Sequence, residues 1–281
     1  MLKQRVITAL VLLLVLLPAL FYREPWPFCF LALVFIAAAA WEWSKANGWS
    51  QHVSLWVGAL CCAVCALMWW AGWLEQRMPG LWLVVGAAWV LGGATVLRAG
   101  VSAWTTHSRH LRLLGGVAAL ALTWLAIGQA KVIGSNFLLS ILALVWTADI
   151  AAYFAGRAWG GRWTHSKLAA SISPGKSWEG VWGGMLGVMV LAWAWRYFDM
   201  VNHVAVPSLY SHVGNRSLWL LMIAAVFMAA MSVVGDLIES LVKRSAGIKD
   251  SSGLLPGHGG VLDRVDALLP TLPLAMMLYS L

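Results

Sequence analysis

Apolar runs of roughly 17–25 residues, each nearly free of charge, recur from one end of this chain to the other. A run of that length spans the hydrocarbon of a bilayer as an α-helix, and a helix satisfies its own backbone hydrogen bonds where the solvent offers none. Nine spans are expected, at about 6–22, 26–41, 53–73, 79–97, 113–130, 135–156, 178–198, 217–243 and 265–281. The chain therefore reads as an all-α, polytopic integral membrane protein with a single transmembrane domain over 1–281. Charged residues make up 11% of its 281 residues, too few for a soluble chain of this length. Residues 1–134 read as generic spans, and 135–281 as the half that carries polar chemistry and cytoplasmic loops. No internal repeat, linker or low-complexity segment interrupts the pattern.

Loop charge sets the orientation. If the chain crosses at each run, 14 of its 19 Lys and Arg fall on the side of the N-terminus and 5 on the other. The positive-inside rule then puts the N-terminus in the cytoplasm and the C-terminus outside, periplasmic for a bacterial inner-membrane protein. Lys3 and Arg5 before the first run imitate a signal sequence, but no small-x-small cleavage site follows, so the run reads as a retained helix. The net charge of +8 suits anionic headgroups and phosphate substrates, with topogenic charge explaining much of it. Cys29, Cys61, Cys62 and Cys65 all lie inside apolar runs. Cys61-Cys62-x-x-Cys65 lacks a second ligand pair and reads as apolar filler. The 20 Trp gather toward span ends, as in an aromatic belt. No nucleic-acid module is visible.

Against this sparse background, residues 236–266 hold five of the eleven acids and four of the Lys and Arg. Charge concentrated this way in a membrane protein points to a charged substrate or an ion. Asp236, Ser240 and Lys243 fall at i, i+4 and i+7 and share one helix face. The Gly and Pro of Gly253–Gly260 stop that helix and allow a tight turn, whose N–H groups are expected to approach an anion. Asp263 and Asp266 follow at i and i+3 on the next helix. Carboxylates hold hard cations such as magnesium, while Lys and Arg hold phosphates. Nucleotidyl transfer needs that combination.

The pattern Ser240-x-Val-Lys243-Arg244-x4-Lys249-Asp250-x-Ser-x2-Leu-Pro-x-His258-Gly259-Gly260-Val-x-Asp263-Arg264-Val-Asp266 resembles the signature of the phosphatidate cytidylyltransferase (CDP-diacylglycerol synthase) family. It departs from that signature nowhere. Two upstream blocks resemble the same family. One is Asp149-x3-Tyr-Phe-x-Gly-Arg157. The other runs His165-Ser-Lys167, Ser171-Ile-Ser173-Pro-Gly-Lys176-Ser-x-Glu179-Gly. The resemblance covers roughly 145–266, and the first five spans match only as hydrophobic helices.

The resemblance implies transfer of a cytidylyl group from CTP to phosphatidic acid, with Asp236 and Asp263 as ligands of Mg2+ and a monovalent cation such as K+ sharing the site. Asp236, Asp263, Lys249 and Arg264 are the expected catalytic residues. Lys167, Ser171, Ser173, Lys176, Ser240, Lys243, Arg244, His258, Gly259 and Gly260 are expected to contact substrate. Asp149, Glu179, Asp250 and Asp266 are expected to complete the metal shell or orient arginines. A homodimer in the lipid bilayer is implied as well.

Plainer readings stand beside these. Asp236 as a simple intramembrane ion pair is one, and topogenic Lys176 at a helix start is another. Gly175-Lys176-Ser177 is not a P-loop, because Ala170 stands where that motif needs Gly and no strand precedes it. His107, His110, His203 and His212 lie in loops without ligand spacing and read as solvated. A transporter or ion channel, or another CTP-dependent lipid enzyme such as a polyprenol kinase, would also bury acids. The gathering of charge at one face and the lack of an inverted repeat weigh against transport.

Overall fold

A computed structural model describes residues 2–164 and 166–281; Met1, His165 of the second upstream block, and the side chains of Leu2 and Lys3 lie outside the described residues. The chain forms α1 (Leu2–Phe21), α2 (Trp26–Ala46), α3 (Gln51–Trp70), α4 (Pro79–Trp104), α5 (Arg109–Ile133), α6 (Ser135–Trp159), α7 (Trp178–Val201), α8 (Leu209–Gly214), α9 (Leu218–Ser245), α10 (Leu262–Val265) and α11 (Leu268–Ser280). Among the described residues the only β pairing is two isolated bridges, Ala169 to Ser173 and Leu255 to Gly259, each closing a tight turn.

Local sequence explains where the helices begin. Ser50, Ser177 and Ser217 cap α3, α7 and α9, each hydroxyl accepting the N–H three residues on. Pro79 opens α4 at a position that needs no donor. Gly134 alone separates α5 from α6, so the short 130–135 connection does divide two helices.

Seven helices (α1 to α6 and α9) are long and apolar enough to cross a membrane. The α7 helix has 24 residues and carries Glu179, Arg196 and Asp199, and it is not among those seven. The last run, read as one span over 265–281, breaks at Asp266–Ala267. The α11 helix that remains has 13 residues, about 20 Å at helical rise and short of a ~30 Å hydrocarbon core.

The buried centre explains that shape. From Leu269 to Met276 every residue of α11 is buried, as expected of a helix apolar all round. It packs against α4, α5 and α9, while α1 lies at the periphery on α2. The α6 and α7 helices meet along a stripe of small residues. A Cβ on Gly183 would stand 2.1 Å from that of Ala155, and one on Gly187 would stand 2.6 Å from that of Ala151, so only glycine lets these backbones approach.

Two sequence expectations change here. Lys131 is buried, and its ammonium donates to Leu20 O (2.7 Å), Tyr22 O (3.0 Å) and Ser135 Oγ (2.8 Å). It ties the open end of α1 to the start of α6 rather than serving as loop charge. The tryptophans are also not all belt residues. Trp43, Trp82 and Trp124 are core, each donating its indole N–H to an acceptor on another part of the chain, Arg112 O, Gln129 Oε1 and Cys29 O.

Candidate active site

The last turns of α9 carry Asp236, Glu239, Ser240 and Lys243. Ser240 Oγ donates to Asp236 Oδ1 at 3.2 Å, as the i, i+4 spacing requires. Lys176, from the loop before α7, pairs with Asp236 Oδ2. Lys243 shares the predicted face but turns elsewhere. Its Nζ lies 2.6 Å from Glu239 Oε2 and 2.6 Å from Asp263 Oδ1, bridging α9 to α10.

Gly235 lets the α10–α11 junction press onto α9, since a Cβ there would stand 2.4 Å from Asp266 O. Asp266 is thereby brought among other acids. Its carboxylate accepts the Ala267 N–H at 2.7 Å.

Asp263 is the most heavily bonded carboxylate of the site. It accepts Lys243 Nζ, the Ser251 N–H (3.0 Å to Oδ2), Ser251 Oγ (3.0 Å) and the Gly260 N–H (2.7 Å). These donors offset the cost of burying the carboxylate. Gly259, at φ +83°, makes the turn that delivers the Gly260 amide. Part of the turn's N–H set is thus already taken up inside the protein, two of its acceptors being carboxylates. The amides of His258, Gly260, Val261 and Leu262 face Leu255 O, Asp263 and Glu42.

Glu42 is the residue that sequence reasoning missed. It lies on α2, is completely buried, and accepts Ser252 Oγ, the Val261 N–H (3.0 Å) and the Leu262 N–H (2.6 Å), with the single Ser251 hydroxyl proton shared between it (3.2 Å) and Asp263. It therefore clasps both ends of the 251–262 loop. The available signal was a carboxylate inside an apolar run, which is costly unless it has a task. Trp41 and Trp43 on either side made it look like part of an aromatic belt.

The remaining predicted residues scatter around this core. Glu179 Oε1 accepts the Trp163 N–H (3.1 Å), the Thr164 N–H (2.8 Å) and Thr164 Oγ1 (2.9 Å), so it braces the 160–177 loop rather than joining the other acids. Arg244 donates from Nε to Ile172 O at 3.3 Å in that same loop. Ser171 is exposed there and Ser173 half-buried. Arg264 donates from Nε (3.0 Å) and Nη2 (2.5 Å) to His258 O, while His258 Nδ1 is buried with no hydrogen-bond partner among the described residues. Lys167, Lys249, Asp250 and Asp149 are exposed.

Among the described residues no three His, Cys, Asp or Glu side chains stand close enough to hold a metal as they are. The donor chemistry nonetheless fits a hard divalent cation. Asp236 lies among Asp149 and Asp266 with Lys176 as its cationic partner, and each of its oxygens has one donor. Asp263 would have to release part of its present set to take a cation.

A model of the cytidylyltransferase family matches residues 3–281. The phosphatidate cytidylyltransferase of Pseudomonas aeruginosa is 37% identical over 283 residues, covering 100% of this chain and 98% of that protein. That of Haemophilus influenzae is 37% identical over 300 residues, covering 99% of each. That of Bacillus subtilis is 35% identical over 148 residues, covering 53% of this chain and 49% of that protein.

Proposed function

The chain belongs to the cytidylyltransferase family, and from that premise we propose that it transfers the cytidylyl group of CTP to phosphatidic acid, giving CDP-diacylglycerol and pyrophosphate. The observation that carries the reading is a pair of lysine–carboxylate clusters on the last turns of α9, Lys176 with Asp236 and Ser240, and Lys243 with Glu239 and Asp263. Two polyanions must come together in this reaction, and the site offers lysines already held in place by carboxylates.

An oxygen of the ionised lipid phosphate attacks the α-phosphorus of CTP. The new P–O bond forms as the bond to the bridging oxygen breaks, and pyrophosphate leaves with that electron pair. No general base is needed, because the nucleophile is already deprotonated. Lys176 and Lys243 exchange their carboxylate partners for substrate phosphates. Lys167, Arg244, Lys249 and Arg264 add positive charge around them, the arginines suiting paired phosphate oxygens. Ser171, Ser173, Ser240 and His258 line the approach, with Gly259 and Gly260 shaping the turn. Glu179 holds the 160–177 loop, Asp250 adds negative charge beside the glycine turn, and Asp149 and Asp266 add it beside Asp236.

Asp236 and Asp263 would hold Mg2+, with K+ in the same neighbourhood; a bound divalent ion neutralises the triphosphate and stabilises the leaving group. We place the site at the cytoplasmic face of a bacterial inner membrane, where nucleotides are. The chain crosses nine times, with α7 and the α10–α11 pair completing the seven apolar helices, and it acts as a homodimer.

Pyrophosphate release by the purified protein tests the reading. Release should require CTP, phosphatidate and magnesium together. Asp236→Asn should cut it at least ~10²-fold, with the thermal unfolding midpoint nearly unchanged, because its partner Lys176 is partly solvated. Release without lipid, or full activity in Asp236→Asn, would overturn the assignment.

A further inference from the structure

At the opposite end of the bundle lies a cavity of about 360 Å³ that the reaction does not use. It opens between the α3–α4 loop, the ends of α5 and α11, and α8. Arg216 lies on its wall just before α9, twenty residues from Asp236 and so about 30 Å away along that helix. The cavity and the cytidylyl site therefore sit on opposite membrane faces.

Its charge is unusual for that face. The far side carries only five of the nineteen cations, as the positive-inside rule dictates. One of the five, Lys131, is consumed in packing. Two others, Arg77 and Arg216, line this single cavity. Among the described residues neither is in an ion pair.

Glu75 also lines the cavity, so two guanidinium charges less one carboxylate leave one positive charge. His212 lies on the same wall, its ring 4.6 Å from that of Tyr279 and its Nε2 3.2 Å from Tyr279 O. Burial, and then the charges of Arg216 and Arg77, keep this imidazole below its ordinary pKa against the pull of that carbonyl. It is thus not the solvated loop histidine expected from sequence. The floor is apolar, with Leu74, Trp82, Ile133 and Met276.

We infer that this cavity binds a phosphodiester monoanion. One net positive charge matches one negative charge, and two arginines offer paired donors to its two free oxygens. The volume fits a small headgroup. Two sources carry such a group, an anionic phospholipid and a soluble phosphodiester, and the apolar floor suits the first.

The test uses full-length, delipidated protein in detergent. Native mass spectrometry with dioleoylphosphatidylglycerol should show one more retained lipid on the wild type than on Arg77→Gln/Arg216→Gln. The zwitterionic dioleoylphosphatidylcholine should show no such difference. Pyrophosphate release should be unchanged in the double variant, which confirms that it folds. If it does not fold, Arg77→Gln and Arg216→Gln taken singly should each weaken lipid binding by about tenfold. Diethyl phosphate separates the sources. If it raises the unfolding temperature of the wild type but not of the variants, while the lipid count stays equal, the ligand is a soluble phosphodiester. Equal lipid retention with no stabilisation by diethyl phosphate would overturn the inference.

Discussion

At the residue scale, Glu42 has no cation beside it among the described residues; its partners are two hydroxyls and two backbone amides. Gln in its place would keep one acceptor oxygen and set an N–H2 against buried N–H donors. Glu42→Gln should therefore cost about 1–3 kcal/mol, seen as a lower unfolding temperature. Amide hydrogen exchange should quicken over 251–262, and unchanged exchange there would show that the loop holds itself. The difference between Glu42 and Asp236 shows what the sequence makes legible. Asp236, Lys243 and Asp263 stand in a dense polar pattern whose spacing already implies proximity, and Lys243 and Asp263 do pair, whereas Asp236 pairs with Lys176 from an earlier loop. Glu42 acts from more than 200 positions away, and no local spacing encodes that contact. The amides of the glycine turn were legible as a cluster, but not their direction, because that depends on which carboxylate the tertiary fold brings against them.

Helices were legible where the apolar runs were long, since length and hydropathy alone decide a membrane span. The short α8 and α10 were not, and neither was the break before α11, because four to six residues carry no measurable period. Packing between elements rests on smaller features. The α6–α7 contact depends on Gly183, where any side chain meets Ala155. Gly183→Leu should lower stability by about 1–3 kcal/mol and depress turnover, since α6 carries Asp149 and α7 follows Lys176. Gly115 on α5 is the contrast, because a Cβ there meets nothing within 4 Å. Gly115→Ala should be neutral or stabilising by up to about 1 kcal/mol. Thermal unfolding of both variants in one detergent compares them directly, and equal effects would refute the packing argument.

Across the whole molecule, the charge imbalance predicts which surface faces which compartment. Arg23 and Lys249 are exposed at opposite ends of the bundle, and the native cysteines are free but largely buried. In spheroplasts a membrane-impermeant maleimide should label Arg23→Cys at once and Lys249→Cys only after lysis. The reverse order would invert the topology and move the cytidylyl site away from its nucleotide. The clasp on the 251–262 loop also has a consequence in time. Its contacts join residues 209 to 220 positions apart, so α2 enters the membrane long before its partners exist. A ribosome adding about 5–20 residues per second leaves an interval of about 10–45 s. Throughout that interval the Glu42 carboxylate has none of the loop donors that later surround it. Completion of this centre is thus among the last events of the protein's own biosynthesis, and a chain released early would insert most of its helices yet never acquire an ordered loop.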